Sequence, residues 1–113
     1  MKSVQKPKVF IIGTGGTALA TSTNGTWKPG ELTQKDVLNL IPDVRKFFHI
    51  EETNLFRIDS TNMQPEHWLT LAQSIYYKLN EFDGIVIGHG TDTMGYTSTA
   101  ISFLIQNLIT PIV

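Results

Sequence analysis

The stretch IVIGHGTDTMGYT, residues 85–97, sets an apolar, β-branched run against an abrupt polar cluster. Ile85 to Gly88 reads as a buried strand stopped by glycine. His89, Thr91, Asp92 and Thr93 follow at once, packed between glycines. A tight turn needs glycine, but it does not need hydroxyls and a carboxylate. Beyond the turn, Ile101, Leu104, Ile105 and Leu108 recur at helical spacing across Thr97 to Leu108. The order is strand, polar turn, helix.

Working outward, the same order recurs. KVFIIG (Lys8–Gly13) is a short apolar run ended by glycines and reads as a strand. ATSTNGTWKPGELT (Ala20–Thr33) has no period and reads as a mobile loop. Thr33 caps a predicted helix through Leu40, with apolar Val37, Leu38, Leu40 and Ile41, and Pro42 ends it. TNLFRIDS (Thr53–Ser60) reads as a strand ending at Asp59. QPEHWLTLAQSIYYKLN is the clearest helix: Pro65 and Glu66 open it, and Trp68, Leu71, Ala72, Ile75 and Leu79 share one face. FDGIVIG is the next strand, and TPIV begins a fourth. This alternation is the βαβ pattern of a parallel sheet, with right-handed crossovers expected. The last residues have the look of a strand just starting, so the chain reads as a fragment of a longer one.

The bulk composition leaves few other classes open. The chain has 113 residues, 41% hydrophobic and 17% charged, enough for one domain with a modest core. A net charge of -1 steers it toward neither nucleic acid nor an anionic membrane. It has no cysteine, which excludes disulfides and thiolate metal sites. Val9 to Ile12 is too short for a signal-peptide core, and no spanning segment is present. A soluble, cytoplasmic protein is expected.

Ligands of open parallel sheets bind outside the carboxyl ends of the strands. Each strand here ends in a polar cluster: GTGGT with Thr14 and Thr17, DSTN with Asp59, Ser60, Thr61 and Asn62, and GHGTDT with Thr91, Asp92 and Thr93. Adjacent parallel strands bring the three to one edge. The plainer reading is that each cluster caps a helix. Three at once, two of them flanked by glycine, favour a site. GTGGTA also fits the G-x-G-x-x-G/A dinucleotide pattern, but the residues after it are poor helix formers, and Asp36 falls in a predicted helix rather than at a strand end. The alternative is that Thr17 is a nucleophile, bared by glycines whose N–H groups act as oxyanion donors. Its proton needs a base. Asp92 could orient a relay, and a lysine would suit better, yet none of Lys2, Lys6, Lys8, Lys28, Lys35, Lys46 and Lys78 follows a strand end.

GTGGTA, DSTNMQPEHW and GHGTDTM together resemble the bacterial-type L-asparaginases, threonine amidohydrolases, across essentially the whole chain in order. DSTNMQPE looks more like the cytoplasmic type and its archaeal relatives. It also looks like the amidase subunit of an archaeal tRNA-dependent amidotransferase, in which an extra domain precedes the first strand; none is expected before Lys8 here. The resemblance implies an α/β fold with a parallel flavodoxin-like (Rossmann-like three-layer) sheet, truncated here. Residues 1–113 would be an N-terminal domain, with the smaller C-terminal domain absent. It implies hydrolysis of L-asparagine to L-aspartate and ammonia through an acyl-enzyme, with no metal or cofactor, in a homo-oligomer.

By motif, Thr17 matches the nucleophile, and Thr91 with Asp92 the second catalytic group. Asp92 and Thr91 also match substrate-binding positions, the carboxylate holding the α-ammonium. Ser60 matches a binder of the α-carboxylate, with Thr61 beside it. Two departures stand out. The family's lid tyrosine is missing, and Trp27 or Thr26 occupies its neighbourhood. The family's catalytic lysine lies beyond the last residue, so this chain alone is expected to be inactive. A dinucleotide-binding domain or a non-catalytic amino-acid binder are the other readings.

Among single residues, His89 reads as a structural neighbour of Thr91, and His49 and His67 have no metal-ligand spacing. Trp68, Tyr76 and Tyr77 read as helix packing, with water as the alternative surroundings for Tyr77, and Glu51–Glu52 as a solvated turn. Asp59 is equally a loop organiser or a substrate contact.

Overall fold

The computed structural model describes residues 5–16, 21–28 and 33–113. Lys8–Gly15 forms the central strand β1. Phe10 and Ile12 turn to one face and Val9 and Ile11 to the other, as the period of a strand requires. Both faces are covered, which is why the run is continuously apolar. His49–Ile58 (β4) and Gly84–Gly88 (β5) pair with β1 on either side, both parallel, giving the order β4-β1-β5. Second, first, third is the opening order of a flavodoxin-like sheet. Outside β5, Ile112 bridges Ile85 in parallel, and the Val113 N–H donates to the Ile85 carbonyl at 2.9 Å.

Helices lie on both faces. On one side, α3 (Pro65–Tyr76) and α4 (Met94–Leu104) close the main core around Ile12, Leu71, Ile75, Ile85 and Ile101. On the other, α1 (Gln34–Asn39) and α2 (Val44–Phe47) cover Ile11, Leu38 and Ile50. The architecture is a three-layer α/β fold.

Local chemistry sets the helix ends. Pro65 starts α3 where its missing N–H costs nothing, and the Gln64 N–H donates to His67 Nδ1 at 2.9 Å. Thr33 caps α1: its hydroxyl accepts from the Asp36 N–H at 3.3 Å, and its own N–H donates to the Asp36 carboxylate at 2.8 Å. The Thr33 hydroxyl and amide together hold the Asp36 carboxyl below its ordinary range. Leu71 is fully buried in the main core. Leu71→Ala should therefore cost about 3 kcal/mol of stability in denaturant unfolding, whereas Leu69→Ala, on the exposed side of the same helix, should cost little.

Several sequence-based boundaries move. The stretch read as a loop contains a hairpin, β2 (Thr21–Thr23) and β3 (Thr26–Lys28), turned by Asn24 and Gly25 at φ 53° and 77°. Two successive positive φ values make the type I′ turn that Asn-Gly favours. Glu51 and Glu52 lie inside β4, opposite Phe10 and Ile11, rather than in a turn. β4 borders the described sheet, so some of its side chains reach water; Glu52 pairs there with Arg45 at 3.3 Å. The last helix begins at Met94 and stops at Leu104: Ile105 is extended, and Asn107 has φ 57°. Leu104 and Leu108 are accordingly half-exposed instead of packed. Tyr77 faces water at 75% exposure, the alternative the sequence left open for it, and Tyr76 is exposed as well, at 67%, instead of packing a helix face.

Candidate active site

The three polar clusters meet. Gly16 follows β1, and its N–H donates to the Ile58 carbonyl at the end of β4 at 2.9 Å. A Cβ on Gly16 would lie 2.5 Å from Gly90 Cα, just past β5, and only the positive φ of 89° with a bare Cα permits that approach. A Cβ on Gly90 would lie 2.7 Å from Ser60 Oγ, so the Ser60 hydroxyl faces Gly90. Short 3-10 turns follow β4 and β5, at Ser60–Asn62 and Thr91–Thr93, and they pack against each other. Thr17 lies outside the described residues; its neighbour Gly16 sits where the three strand ends touch.

Most polar groups here are spent on structure. Thr14, 1% exposed, donates its hydroxyl to the Gly88 carbonyl at 2.7 Å, tying β1 to β5. The Asp59 carboxylate accepts from the Thr61 N–H and from the Thr61 hydroxyl, each at 3.0 Å, so Asp59 organises the turn and Thr61 lends its hydroxyl to it. His89 Nδ1 lies 2.6 Å from the Gly90 carbonyl, which accepts only, so Nδ1 carries the proton. Nε2 then accepts from the Thr97 hydroxyl at 2.8 Å, and Thr97 in turn accepts from the Trp68 indole N–H at 3.0 Å. His89 is thus fully engaged in holding Gly90, and the half-buried Trp68 acts as a hydrogen-bond donor.

Among the described residues, four polar side chains of these clusters remain unspent: the exposed Asn62 amide and three others. The Ser60 hydroxyl, in a residue only 3% exposed, bonds to no other described residue. Neither do the Thr91 hydroxyl and the Asp92 carboxylate, both exposed. Gly90 stands at the cap position of the Thr91 turn, so no side chain caps its first N–H groups. These groups suit a zwitterionic amino acid: hydroxyls for a carboxylate, a carboxylate for an ammonium, N–H groups for an oxyanion. Asp92 also borders an open groove of about 670 Å³ with Trp68, Gly95, Tyr96 and Thr99. An apolar cavity of about 330 Å³ lies elsewhere, along α4 between Ile87 and Ile112.

Two features escaped the sequence. Gln34 is buried, and its side chain lies across Gly13 and Gly88, filling the space that side chains there would need. Its N–H donates to Asn54 Oδ1 at 3.2 Å, docking α1 onto the strand ends. Thr93 donates its hydroxyl to the Ser60 carbonyl at 2.7 Å. Thr26 and Trp27, the candidates for the absent tyrosine's place, lie on β3, with their side chains outside what the structure describes. The dinucleotide pattern lacks its context: a hairpin and not a helix follows GTGGTA, and Asp36 serves the α1 cap. Among the described residues, no group of three potential ligands could hold a metal ion, and no helix is long and apolar enough to cross a membrane.

Residues 8–113 match the family model for the asparaginase N-terminal domain. An L-asparaginase of Thermococcus kodakarensis is 41% identical over 107 residues, covering 94% of this chain and 32% of that protein. A glutamyl-tRNA(Gln) amidotransferase subunit of Pyrococcus abyssi is 39% identical over 110 residues, covering 95% of this chain and 25% of that protein. Among solved structures, the thermostable L-asparaginase from Thermococcus kodakarensis matches with a TM-score of 0.83 at 40% identity, over 93% of this chain and 32% of that one. A probable cytoplasmic L-asparaginase from Campylobacter jejuni matches with a TM-score of 0.76 at 35% identity, over 81% of this chain and 30% of that one. The chain spans a quarter to a third of the length of these relatives.

Proposed function

The chain belongs to the asparaginase family, and on that premise we propose that its protein hydrolyses L-asparagine to L-aspartate and ammonia at the edge where β1, β4 and β5 end. The observation that carries the reading is the set of unspent groups at Ser60, Thr91 and Asp92, beside described hydroxyls and an imidazole that are all engaged. Ser60 binds the α-carboxylate and Asp92 the α-ammonium, with Thr61 holding the turn that presents Ser60. Thr17 Oγ attacks the side-chain carbonyl, the C–N bond breaks, and ammonia leaves with the proton relayed through the Thr91 hydroxyl. Water then attacks the ester and releases aspartate and Thr17. Pre-set N–H donors stabilise the tetrahedral oxyanion in both steps. The likeness to the Campylobacter protein supports a cytoplasmic setting, and an oligomer is expected.

A second reading is favoured by the likeness to the Pyrococcus amidotransferase: the same site would release ammonia for amidation of glutamyl-tRNA(Gln). Ammonia release by the complete protein decides between them. Turnover of free asparagine without tRNA supports the asparaginase. Release that needs glutamyl-tRNA(Gln) supports the amidotransferase. Tight aspartate binding with no turnover of asparagine or glutamine would identify an amino-acid binder and overturn both.

A further inference from the structure

We propose that Thr93 is a positioning residue that sets the distance between the two ends of the bound amino acid; this rests on the function proposed above. Thr93 occupies the cap position of α4, where a threonine hydroxyl ordinarily accepts from its own helix's N–H groups. It makes no such bond. Its hydroxyl instead donates to the Ser60 carbonyl at 2.7 Å, 33 residues away in sequence. Among the described residues, this is the one hydrogen bond that joins the Ser60 turn to the Thr91 turn. One turn carries the carboxylate-binding hydroxyl and the other the ammonium-binding Asp92. The bond therefore ties the two halves of the site together, and the helix gives up a cap to make it.

The two turns are otherwise held by different partners. Asp59 fixes the Ser60 turn from within, through Thr61. His89 holds the Gly90 carbonyl from the α3–α4 side through Thr97 and Trp68. Without the Thr93 bond, each turn keeps its own supports but loses its register with the other. A misplacement of that kind weakens binding at both ends of the substrate; Thr91 rides on the same turn as Asp92, so the chemical step slows too, but less, because both catalytic hydroxyls are kept.

The test compares Thr93→Val with Thr93→Ser in the complete protein, through steady-state kinetics with asparagine and the dissociation constant of aspartate. Thr93→Val keeps the shape and removes the donor. It should raise KM and the aspartate dissociation constant about fivefold to tenfold while kcat falls less than about threefold, the scale of one part-buried hydrogen bond. Thr93→Ser keeps the donor and should stay within about twofold of wild type in both. An unchanged KM in Thr93→Val, or equal losses in the valine and serine variants, overturns the proposal. Ser60→Ala run alongside separates the failures: if it raises KM while Thr93→Val does not, the site stands and the positioning role falls. If neither variant alters the handling of asparagine or aspartate, the proposed function falls with it.

Discussion

Thr91→Val in the complete protein is expected to lower kcat for asparagine on the order of a thousandfold, and Thr17→Val by more, with the folded state intact in the first. Thr91 is exposed on a turn, and its hydroxyl makes no bond to another described residue. Exchanging that oxygen for a methyl group removes no hydrogen bond to a described residue, so stability should change by less than about 0.5 kcal/mol. A large loss of turnover beside an unchanged unfolding curve can only come from chemistry. The KM-against-kcat split is informative too: loss of a proton relay lowers kcat, whereas loss of a binding contact raises KM. A Thr91→Val enzyme with near wild-type kcat would remove Thr91 from the reaction.

The second large effect is structural. Gly16→Ala is expected to destabilise the protein by about 3 kcal/mol or more and to abolish turnover along with it. Two costs combine. The backbone at Gly16 has φ 89°, a conformation that alanine adopts only under strain. The new Cβ would also sit 2.5 Å from Gly90 Cα and 2.6 Å from Gly90 N, where backbone meets backbone and no rotamer relieves the clash. Gly25→Ala is the control: φ is 77°, but nothing lies within 4 Å of the added carbon. It should show the backbone cost alone, about 1 kcal/mol. Equal unfolding midpoints for the two variants would mean that the strand ends do not approach as described.

The fold was legible where one physical signal dominated. Lys8–Gly13 and Ile85–Gly88 are continuously apolar because both sheet faces are covered, and glycine stops both. Pro65 and Thr33 marked helix starts through chemistry that is local by nature. Boundaries slipped where tertiary position overrode composition. Glu51 and Glu52 look like a turn, yet they belong to a border strand that needs apolar residues on fewer positions. The periodic apolar residues past Leu104 suggest more helix, but the backbone at Asn107 turns left-handed. The hairpin had a readable signal in Asn24-Gly25, hidden by short, polar flanks.

The site divides in the same way. Ser60, Thr91 and Asp92 stood out because hydroxyls and carboxylates at strand ends are chemically conspicuous. The supports did not. Gln34 reads as one more polar residue at a helix start, and only the bare Gly13 and Gly88 beneath it reveal that it fills a slot. Trp68, Thr97 and His89 form one chain of hydrogen bonds across separate elements, and no spacing along a single helix or strand connects them. Thr93 belonged to a visible cluster, but its partner is a backbone carbonyl, which has no identity in the sequence.

The claim that the three strand ends form one amide-hydrolysing pocket is tested most directly by capturing the intermediate. The complete protein would be mixed with L-asparagine, quenched in acid during turnover, digested and mapped by mass spectrometry. An aspartyl ester on the peptide that carries Thr17, absent in Thr17→Val and depleted in Thr91→Val, is the predicted result. Ammonia release with the ester on any other residue, or with none formed at all, would contradict it.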